Sequence, residues 1–287
     1  MIVEPSDGHV KVLGFNLYYR SFGKPEKGTV LTLHGGPGGT HDYLLPLADL
    51  AQFGYRVVLY DQLGCGRSER PKSANYYSIG KAVDEVEAVR KALRLGRVHL
   101  FGSSYGGALA LDVALKYQRN LRSLIVSNGF ASNALVESEW NPHTPKTLRK
   151  TLEHYRAKGD LQNPKRLAAK EALDRIQECR LEVWPHEWNY TLQHISEDVY
   201  GLIDNSLKGW DLTDRLPEIE LPCLVITGEY DGIAPKLARA IHRGVRGSKF
   251  VNFGDCSHLP MWEDRVAFIK ALLDFLDNVS SSPRKSR

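Results

Sequence analysis

One serine of this chain stands in a setting that would make it a nucleophile. Ser104 is the central residue of Gly102-Ser103-Ser104-Tyr105-Gly106, which has the spacing G-x-S-x-G. An apolar run precedes this stretch and a helix-like segment follows it, so the pattern predicts a strand, a sharp turn and a helix. Such a turn lifts the hydroxyl clear of the backbone, and side chains at the flanking glycines would clash. The spacing also arises by chance, so the interpretation requires an acid, a base and an oxyanion site.

An acid and a base follow the serine in the order that such chemistry needs. A serine hydroxyl is a weak nucleophile until a base takes its proton, and an acid holds that base in one tautomer. Asp231 and His258 each follow an apolar run, at the carboxyl end of a predicted strand. Asp255 is an alternative acid, but it precedes His258 by only three residues and would face the imidazole poorly. We therefore expect Ser104, Asp231 and His258 to form a catalytic triad.

A glycine-rich loop could supply the oxyanion site. Two backbone N–H groups must point at the negative charge that develops on the attacked carbonyl. One should belong to Tyr105, directly after the serine, and the other to the loop His34-Gly35-Gly36-Pro37-Gly38-Gly39. We choose Gly36 as the second donor, since glycine lets the backbone approach a substrate closely. The loop lacks the G-K-[ST] ending of a phosphate-binding loop, which makes that alternative weak.

The residues need a scaffold that brings strand ends together, and the apolar pattern predicts one. Short apolar runs alternate with helical segments, which is typical of a parallel sheet covered on both faces. An alternating segment at 10–22 predicts a hairpin before them. In open parallel sheets, ligands bind at the carboxyl ends of the strands. The sequence therefore predicts an α/β protein of the α/β-hydrolase fold, with a mostly parallel central sheet, helices on both faces and an inserted helical cap.

The alternation is interrupted once, by a long polar and helical stretch that we interpret as the cap. It contains four of the five tryptophans, which are Trp140, Trp184, Trp188 and Trp210. Long insertions of this kind are usually functional, although a separate structural subdomain is the alternative. We expect Trp184 and Trp188 to contact substrate. The predicted divisions are residues 1–130 and 215–279 for the core, 131–214 for the cap and 280–287 for a disordered basic tail.

Composition argues against several classes of protein. The chain has 287 residues and a net charge of +4, to which the tail contributes most, so the body is nearly neutral and nucleic-acid binding is not expected. The first residues form no signal segment, and no run is long enough to span a membrane. Four scattered cysteines favour a reducing, cytoplasmic location. His186 and His194 lack H-E-x-x-H spacing, so we expect neither a metal nor a cofactor.

Four segments resemble the proline iminopeptidase family of α/β-hydrolases. They are 34–38 (HGGPG), 61–68 (DQLGCGRS), 102–107 (GSSYGG) and 228–231 (GEYD). The resemblance extends over nearly the whole chain outside the cap, and it includes the archaeal tricorn-interacting aminopeptidases. It implies hydrolysis of an N-terminal residue, often proline, from short peptides without a metal or cofactor. It also implies Ser104, Asp231 and His258 as the triad. The oxyanion donors that it implies are Gly36 and Tyr105.

The chain departs from this family where the amine of a substrate would bind. Family members hold the α-ammonium with glutamates of the cap, whereas the matching stretch, 199–210, contains none. Some members also have glutamate where this chain has Gly232. A buried cation without a carboxylate would be costly. The candidates to replace these glutamates are Glu229, Asp204, Glu197 and Asp211.

Three functions are compatible with these residues. The first is a serine aminopeptidase that releases N-terminal proline or a small hydrophobic residue from short peptides through an acyl-enzyme. The second keeps the triad but acts on small uncharged acyl compounds, as an amidase, esterase or lactonase. The third is a non-catalytic protein of the same fold that binds a small ligand under its cap, which a complete triad disfavours. The preferred residue and the oligomeric state are not encoded in any recognisable pattern.

Overall fold

The centre of the fold is an eight-stranded sheet with the strand order β1-β2-β4-β3-β5-β6-β7-β8. We describe it from a computed structural model that covers residues 5–281, apart from the side chain of Glu137. The first two strands are antiparallel to their neighbours, and all the others are parallel. The strands are β1 (Ser6–Val12), β2 (Phe15–Phe22), β3 (Gly28–Leu33), β4 (Tyr55–Tyr60), β5 (Val98–Ser103), β6 (Leu121–Ser127), β7 (Cys223–Gly228) and β8 (Lys249–Phe253).

The composition of the strands explains where each one lies. Every residue of β3, β5 and β7 is buried, as expected of continuous apolar strands that are covered on both faces. The β1–β2 hairpin is partly exposed and turns at Leu13 and Gly14, which have φ angles of 52° and 95°. Two positive φ angles in a two-residue loop match the twist of an antiparallel pair. The predicted hairpin and parallel sheet are therefore both present.

Helices cover both faces of the sheet and divide the core into two main clusters. On one face, apolar residues of α1, α2 and α8 pack together, as Val86, Leu109 and Ile241 illustrate. On the other, the 3₁₀ segment Asp42–Phe53 packs with α10, for example through Leu47 and Phe268. The core helices are α1 (Ile79–Ala92), α2 (Tyr105–Tyr117), α8 (Pro235–Gly244), α9 (Pro260–Glu263) and α10 (Arg265–Ser281).

A run of helices lies between β6 and β7, where the cap was predicted. The chain leaves the core and returns to it at neighbouring points, because Ser132 and Asp211 form an isolated antiparallel bridge. Beside this bridge, the N–H of Leu212 donates to the carbonyl of Ala131 at 2.7 Å. We call these contacts the neck. The helices are α3 (Asn133–Ser138), α4 (Lys146–Ala157), α5 (Pro164–Gln177), α6 (His186–Gln193) and α7 (Glu197–Ser206).

The C-terminal end differs from the prediction in one respect. Helix α10 continues through Ser280 to Ser281, so the first two residues assigned to a disordered tail are helical. Residues 282–287 and 1–4, which carry the rest of the tail and the start of the chain, lie outside the described residues. All four cysteines are free and buried. Within residues 5–281, we find no helix that is both long and apolar enough to cross a membrane.

Candidate active site

Ser104 occupies a strained turn between β5 and α2. Its φ and ψ angles are 59° and −128°, a backbone conformation that L-residues seldom adopt. The glycines on either side are required by contact distances. A Cβ atom on Gly102 would lie 2.0 Å from the carbonyl oxygen of Gly106, and one on Gly106 would lie 2.2 Å from that of Leu33. The strand, turn and helix predicted around the serine are therefore present, and the fold keeps the serine at the end of its strand.

The glycine loop that follows β3 lies directly against this turn. A Cβ atom on Gly35 would come within 2.6 Å of the Cβ of Ser104, so only glycine allows this approach. The N–H groups of Gly36 and Tyr105 meet no acceptor among residues 5–281. Tyr105 is also the first residue of α2, whose N-terminus carries a partial positive charge. The two predicted oxyanion donors thus flank the serine with their hydrogens unused.

The register of the sheet brings four strand ends to one edge. Ser103, the last residue of β5, pairs with Ser127 of β6. Ser127 pairs in turn with Ile226 of β7, and Ile226 pairs with Val251 of β8. The loops that carry Ser104, Asp231 and His258 follow these strands directly, and so all three emerge at the same edge.

His258 and Asp231 are hydrogen bonded to each other. The distance between Nδ1 of His258 and Oδ1 of Asp231 is 2.6 Å. Asp231 is fully buried, whereas His258 keeps 8% of its surface exposed. The N–H of Ile233 also donates to Oδ1 of Asp231, at 3.0 Å. Of the two acids considered for this histidine, it is Asp231 and not Asp255 that bonds to the imidazole.

Asn128 supports the same carboxylate, a role that no local sequence pattern predicts. Its side-chain amide donates to Oδ2 of Asp231 at 2.7 Å and to the carbonyl of Ser257 at 3.1 Å. The residue follows β6 and has a φ angle of 54°, a left-handed conformation that asparagine tolerates better than most residues. Both oxygens of Asp231 are therefore held, one by His258 and Ile233 and the other by Asn128.

The electrostatic setting of His258 favours its charged form. Burial alone would lower its pKa, but the charge and hydrogen bond of Asp231 outweigh burial and raise the pKa to about 9. Glu178 and Glu263 add to this effect. Glu263 is held in place by the N–H and hydroxyl of Ser257, both at 2.7 Å. A proton that reaches this imidazole is therefore strongly stabilised.

A second histidine–aspartate pair follows the glycine loop and joins it to the loop at 61–68. Nδ1 of His41 lies 2.7 Å from Oδ1 of Asp61, and both side chains are fully buried. The other oxygen of Asp61 accepts the N–H of Arg67 at 2.9 Å. It would lie 2.3 Å from a Cβ on Gly66, which explains the glycine there. Asp61 therefore shapes the 61–68 loop around its own carboxylate.

This loop is also bonded to the glycine loop. The backbone N–H of Gln62 donates to Nε2 of His34 at 3.0 Å, and its side-chain amide donates to the carbonyl of His34 at 2.9 Å. The hydroxyl of Tyr43 accepts the N–H of Gly35 at 2.7 Å. Burial lowers the pKa of His34 and so favours the neutral ring that accepts from Gln62. The position of Gly36 thus depends on the contacts that Gln62 and Tyr43 make with its loop.

One cluster of side chains has the composition of a metal site, but the carboxylate at its centre, Asp61, is already engaged by protein donors. Donor atoms of His41, Asp42 and Asp61 lie within 4.8 Å of one another. Oδ1 of Asp61 accepts from both the N–H and Nδ1 of His41, and Oδ2 accepts from the backbone of Arg67. The guanidinium of Arg67 lies 3.5 Å from Asp42. Both oxygens of Asp61 are therefore taken by protein donors, whereas Nε2 of His41 and Oδ2 of Asp42 have no hydrogen-bond partner among the described residues. We assign the bond between His41 and Asp61 a structural role.

Comparisons with known proteins agree with this geometry. Residues 28–265 match the family model described as the alpha/beta hydrolase fold. A proline iminopeptidase of Thermoplasma volcanium is 40% identical over 94% of this chain and 96% of its own length. One from Saccharolobus solfataricus is 36% identical over 97% of this chain and 94% of its own. The chain belongs to the proline iminopeptidase family of α/β-hydrolases.

A solved structure extends the likeness to three dimensions. The proline iminopeptidase of Mycobacterium smegmatis is 28% identical, with a TM-score of 0.88 that covers 96% of this chain and 99% of that one. In this member of the proline iminopeptidase family, two of the four segments that carry the resemblance, 34–38 and 61–68, are in direct contact. The two segments therefore form one hydrogen-bonded unit beside Ser104.

The acidic residues suggested for amine binding are paired with other groups or lie on α7. Glu229 accepts from Nδ2 of Asn252 at 2.6 Å and lies 3.3 Å from His143. Asp211 accepts the N–H of Thr213 at 2.8 Å. Asp204 and Glu197 lie on α7, where both act electrostatically on the tyrosine at position 200. These contacts give none of the four a direct link to the Ser104 turn.

The two tryptophans expected to contact substrate are anchored in the fold. The indole of Trp184 donates to the carbonyl of Cys179 at 2.9 Å, and Arg175 lies 4.7 Å above its ring. Trp188 is buried and meets Tyr43 edge to face at 5.4 Å. Since Tyr43 holds Gly35, Trp188 reaches the glycine loop through this tyrosine. Sequence reasoning identified both residues but not these packing roles.

Proposed function

We propose that the protein is a serine aminopeptidase that releases an N-terminal proline or small hydrophobic residue from short peptides. The observation that carries this proposal is the 2.6 Å bond between His258 and Asp231 at the sheet edge that also carries Ser104. Membership of the proline iminopeptidase family supports the substrate class. Four free, buried cysteines are consistent with a reducing cytoplasm, where short peptides are available.

Acylation begins with attack by Ser104 on the scissile carbonyl. A bond forms between Oγ and the carbonyl carbon while the hydroxyl proton moves to Nε2 of His258. The carbonyl oxygen becomes an oxyanion, which accepts from the N–H groups of Gly36 and Tyr105. Asp231 stabilises the imidazolium and keeps Nδ1 protonated. The C–N bond then breaks, and Nε2 returns the proton to the leaving amine.

Deacylation repeats these steps with water as the nucleophile. Water attacks the acyl carbon, His258 takes a proton from it, and the same two N–H groups bind the second oxyanion. The C–O bond to Ser104 breaks, and Oγ recovers the proton from Nε2. The free amino acid is then released. No residue changes its net protonation state over the cycle, so the chain needs no external proton carrier.

The test compares substrates with a free amine, with an acetylated amine and with an ester in place of the amide. Purified protein is assayed on proline and alanine arylamides, on the N-acetylated arylamides and on a short-chain aryl ester. We expect cleavage of the free-amine arylamides and covalent labelling of Ser104 by a fluorophosphonate. Ser104→Ala is the control, and it should lose both properties while keeping the thermal unfolding curve of the wild type.

An amidase, esterase or lactonase is the second candidate. The engagement of Glu229 with Asn252 and the absence of a side chain at Gly232 favour it, because both leave fewer carboxylates for a substrate amine. Cleavage of the acetylated arylamide or the ester alone would replace the aminopeptidase by this second function. Inertness toward every substrate, together with no labelling of Ser104, would support a ligand-binding protein instead.

A further inference from the structure

Glu178 is a carboxylate beside the candidate triad that the reaction steps above do not use. It directly follows α5, and its side chain is only partly accessible. The carbonyl of the preceding residue, Gln177, accepts the N–H of His258 at 3.1 Å, which fixes this part of the cap to the base. Oε1 of Glu178 lies 4.0 Å from the position that a Cβ on Gly232 would take. The carboxylate thus lies next to the residue that follows Asp231.

The carboxylate of Glu178 is not engaged by any other described group. Across residues 5–281, the side chain of Glu178 makes neither a hydrogen bond nor an ion pair with another described group. Lys170 is the lysine that acts on it, but its ammonium lies 2.6 Å from Asp174 and is paired there. Burial raises the pKa of Glu178, and the charge of His258 opposes this shift. A carboxylate in such surroundings costs free energy unless a cation reaches it.

The Glu178 carboxylate lies where the ammonium group of an aminopeptidase substrate would be expected. In a peptide with a free N-terminus, one carbon atom separates the ammonium from the scissile carbonyl. When Ser104 holds that carbonyl, the ammonium must therefore lie within a few ångströms of the triad. Glu178 acts electrostatically on His258, Asp231 and Tyr43, which lie around this point. Two other glutamates in this region, Glu229 and Glu263, have partners of their own.

We propose that Glu178 binds the ammonium group of the substrate's N-terminal residue and thereby selects free-amine aminoacyl compounds over N-acylated ones. This inference rests on the proposed aminopeptidase function, and it names the group that gives the site its substrate class. It also explains how a chain with glycine at position 232 recognises an amine, since the carboxylate comes from the cap instead. Glu178 is a specificity-determining residue in this scheme and takes no part in bond breaking.

The test measures amine binding without relying on turnover. L-Prolinamide and N-acetyl-L-prolinamide are each titrated as protectants against fluorophosphonate labelling of Ser104, in the wild type and in Glu178→Gln. We expect prolinamide to protect the wild type, and the variant to need about ten- to 100-fold more of it, as for loss of a hydrogen bond to a charged group. The acetylated compound should protect both proteins equally. Glu171→Gln, an exposed substitution on α5, should match the wild type.

The outcomes separate this inference from the function on which it rests. Equal protection of the wild type and Glu178→Gln by prolinamide would overturn the role of Glu178. If the wild type cleaves no free-amine arylamide but prolinamide still protects it through Glu178, the aminopeptidase proposal fails and ammonium binding stands. A wild type that prolinamide does not protect at all contradicts both. Thermal unfolding of the variant confirms that its fold is retained.

Discussion

The molecule contains two buried histidine–aspartate pairs of nearly identical geometry and different use. The Nδ1–Oδ1 distance is 2.6 Å in His258–Asp231 and 2.7 Å in His41–Asp61, and both carboxylates are fully buried. His258 is slightly exposed at the strand ends, where the loop bearing Ser104 also lies. His41 is fully buried, and its Nε2 has no partner among the described residues. A histidine–aspartate bond by itself therefore does not make a base, because the far nitrogen must also be reachable by a nucleophile.

The two aspartates also differ in what they hold. Asp61 accepts two backbone N–H groups, those of His41 and Arg67, and so fixes the shape of a loop. Burial would raise its pKa, but the hydrogen bond and charge of His41 outweigh burial and lower it. Asp231 accepts from the side chain of Asn128, and its main electrostatic effect is to raise the pKa of His258. One pair organises backbone, and the other prepares a proton acceptor.

The largest expected effect comes from changing the acid of the first pair. In Asp231→Asn, we expect kcat to fall by about 10⁴-fold, because an amide no longer fixes the imidazole tautomer. The variant should unfold at nearly the wild-type temperature, since the amide keeps the shape of the side chain. Steady-state kinetics on the best arylamide, together with thermal unfolding, provides the measurement. A variant that retains more than a tenth of wild-type kcat contradicts the assignment of Asp231.

The equivalent change in the second pair should act on stability instead. Asp61→Asn places an NH₂ group against backbone donors and removes the partner of His41, so we expect the free energy of unfolding to drop by about 3 kcal/mol. In the fraction that remains folded, kcat should stay within a few-fold of the wild type. Urea unfolding measures the free energy. Steady-state kinetics, normalised by active-site titration, measures kcat. Asp277→Asn, which breaks the exposed pair with Lys27, is the matched control and should cost less than about 1 kcal/mol.

The pH dependence of activity offers a third way to tell the pairs apart. His258 must be neutral to accept a proton, and its pKa is raised to about 9. Below about pH 8, where the substrate amine is still an ammonium, kcat/KM should therefore rise about tenfold for each pH unit. Far-UV circular dichroism over the same range controls for unfolding. A profile that is flat between pH 6 and pH 9 would show that the carboxylate of Asp231 does not govern this imidazole.

The smallest effect is expected at Asn128. Asn128→Gly removes the amide that holds Oδ2 of Asp231 and suits the left-handed backbone at this position. We expect kcat to fall by about tenfold, as for the loss of one hydrogen bond to a charged group, with KM nearly unchanged. The ratio of the two parameters distinguishes positioning from substrate binding. An unaltered kcat would mean that His258 and Ile233 are sufficient to hold the acid.

Sequence reasoning predicted what depends on local pattern. The turn at Ser104 was predictable because its glycine spacing and the flanking strand and helix are local patterns, and the sheet was predictable because its strands are continuously apolar. Asn128 and Glu178 were missed, since their roles arise only when distant segments meet. Asn128 lies 103 positions from Asp231 along the chain. The His41–Asp61 pair was missed for the same reason, although Asp61 is the first residue of the segment 61–68 and His41 follows the glycine loop closely.

The neck between Ala131 and Leu212 has a consequence for how such enzymes diversify. The chain leaves the core and returns to it at neighbouring points, so the whole insertion is joined to the core at one place. A cap from a relative joined at these two residues would leave every strand uninterrupted. Recognition of new substrates can thus evolve by exchange or remodelling of one segment, at a pace independent of the machinery that cuts the bond.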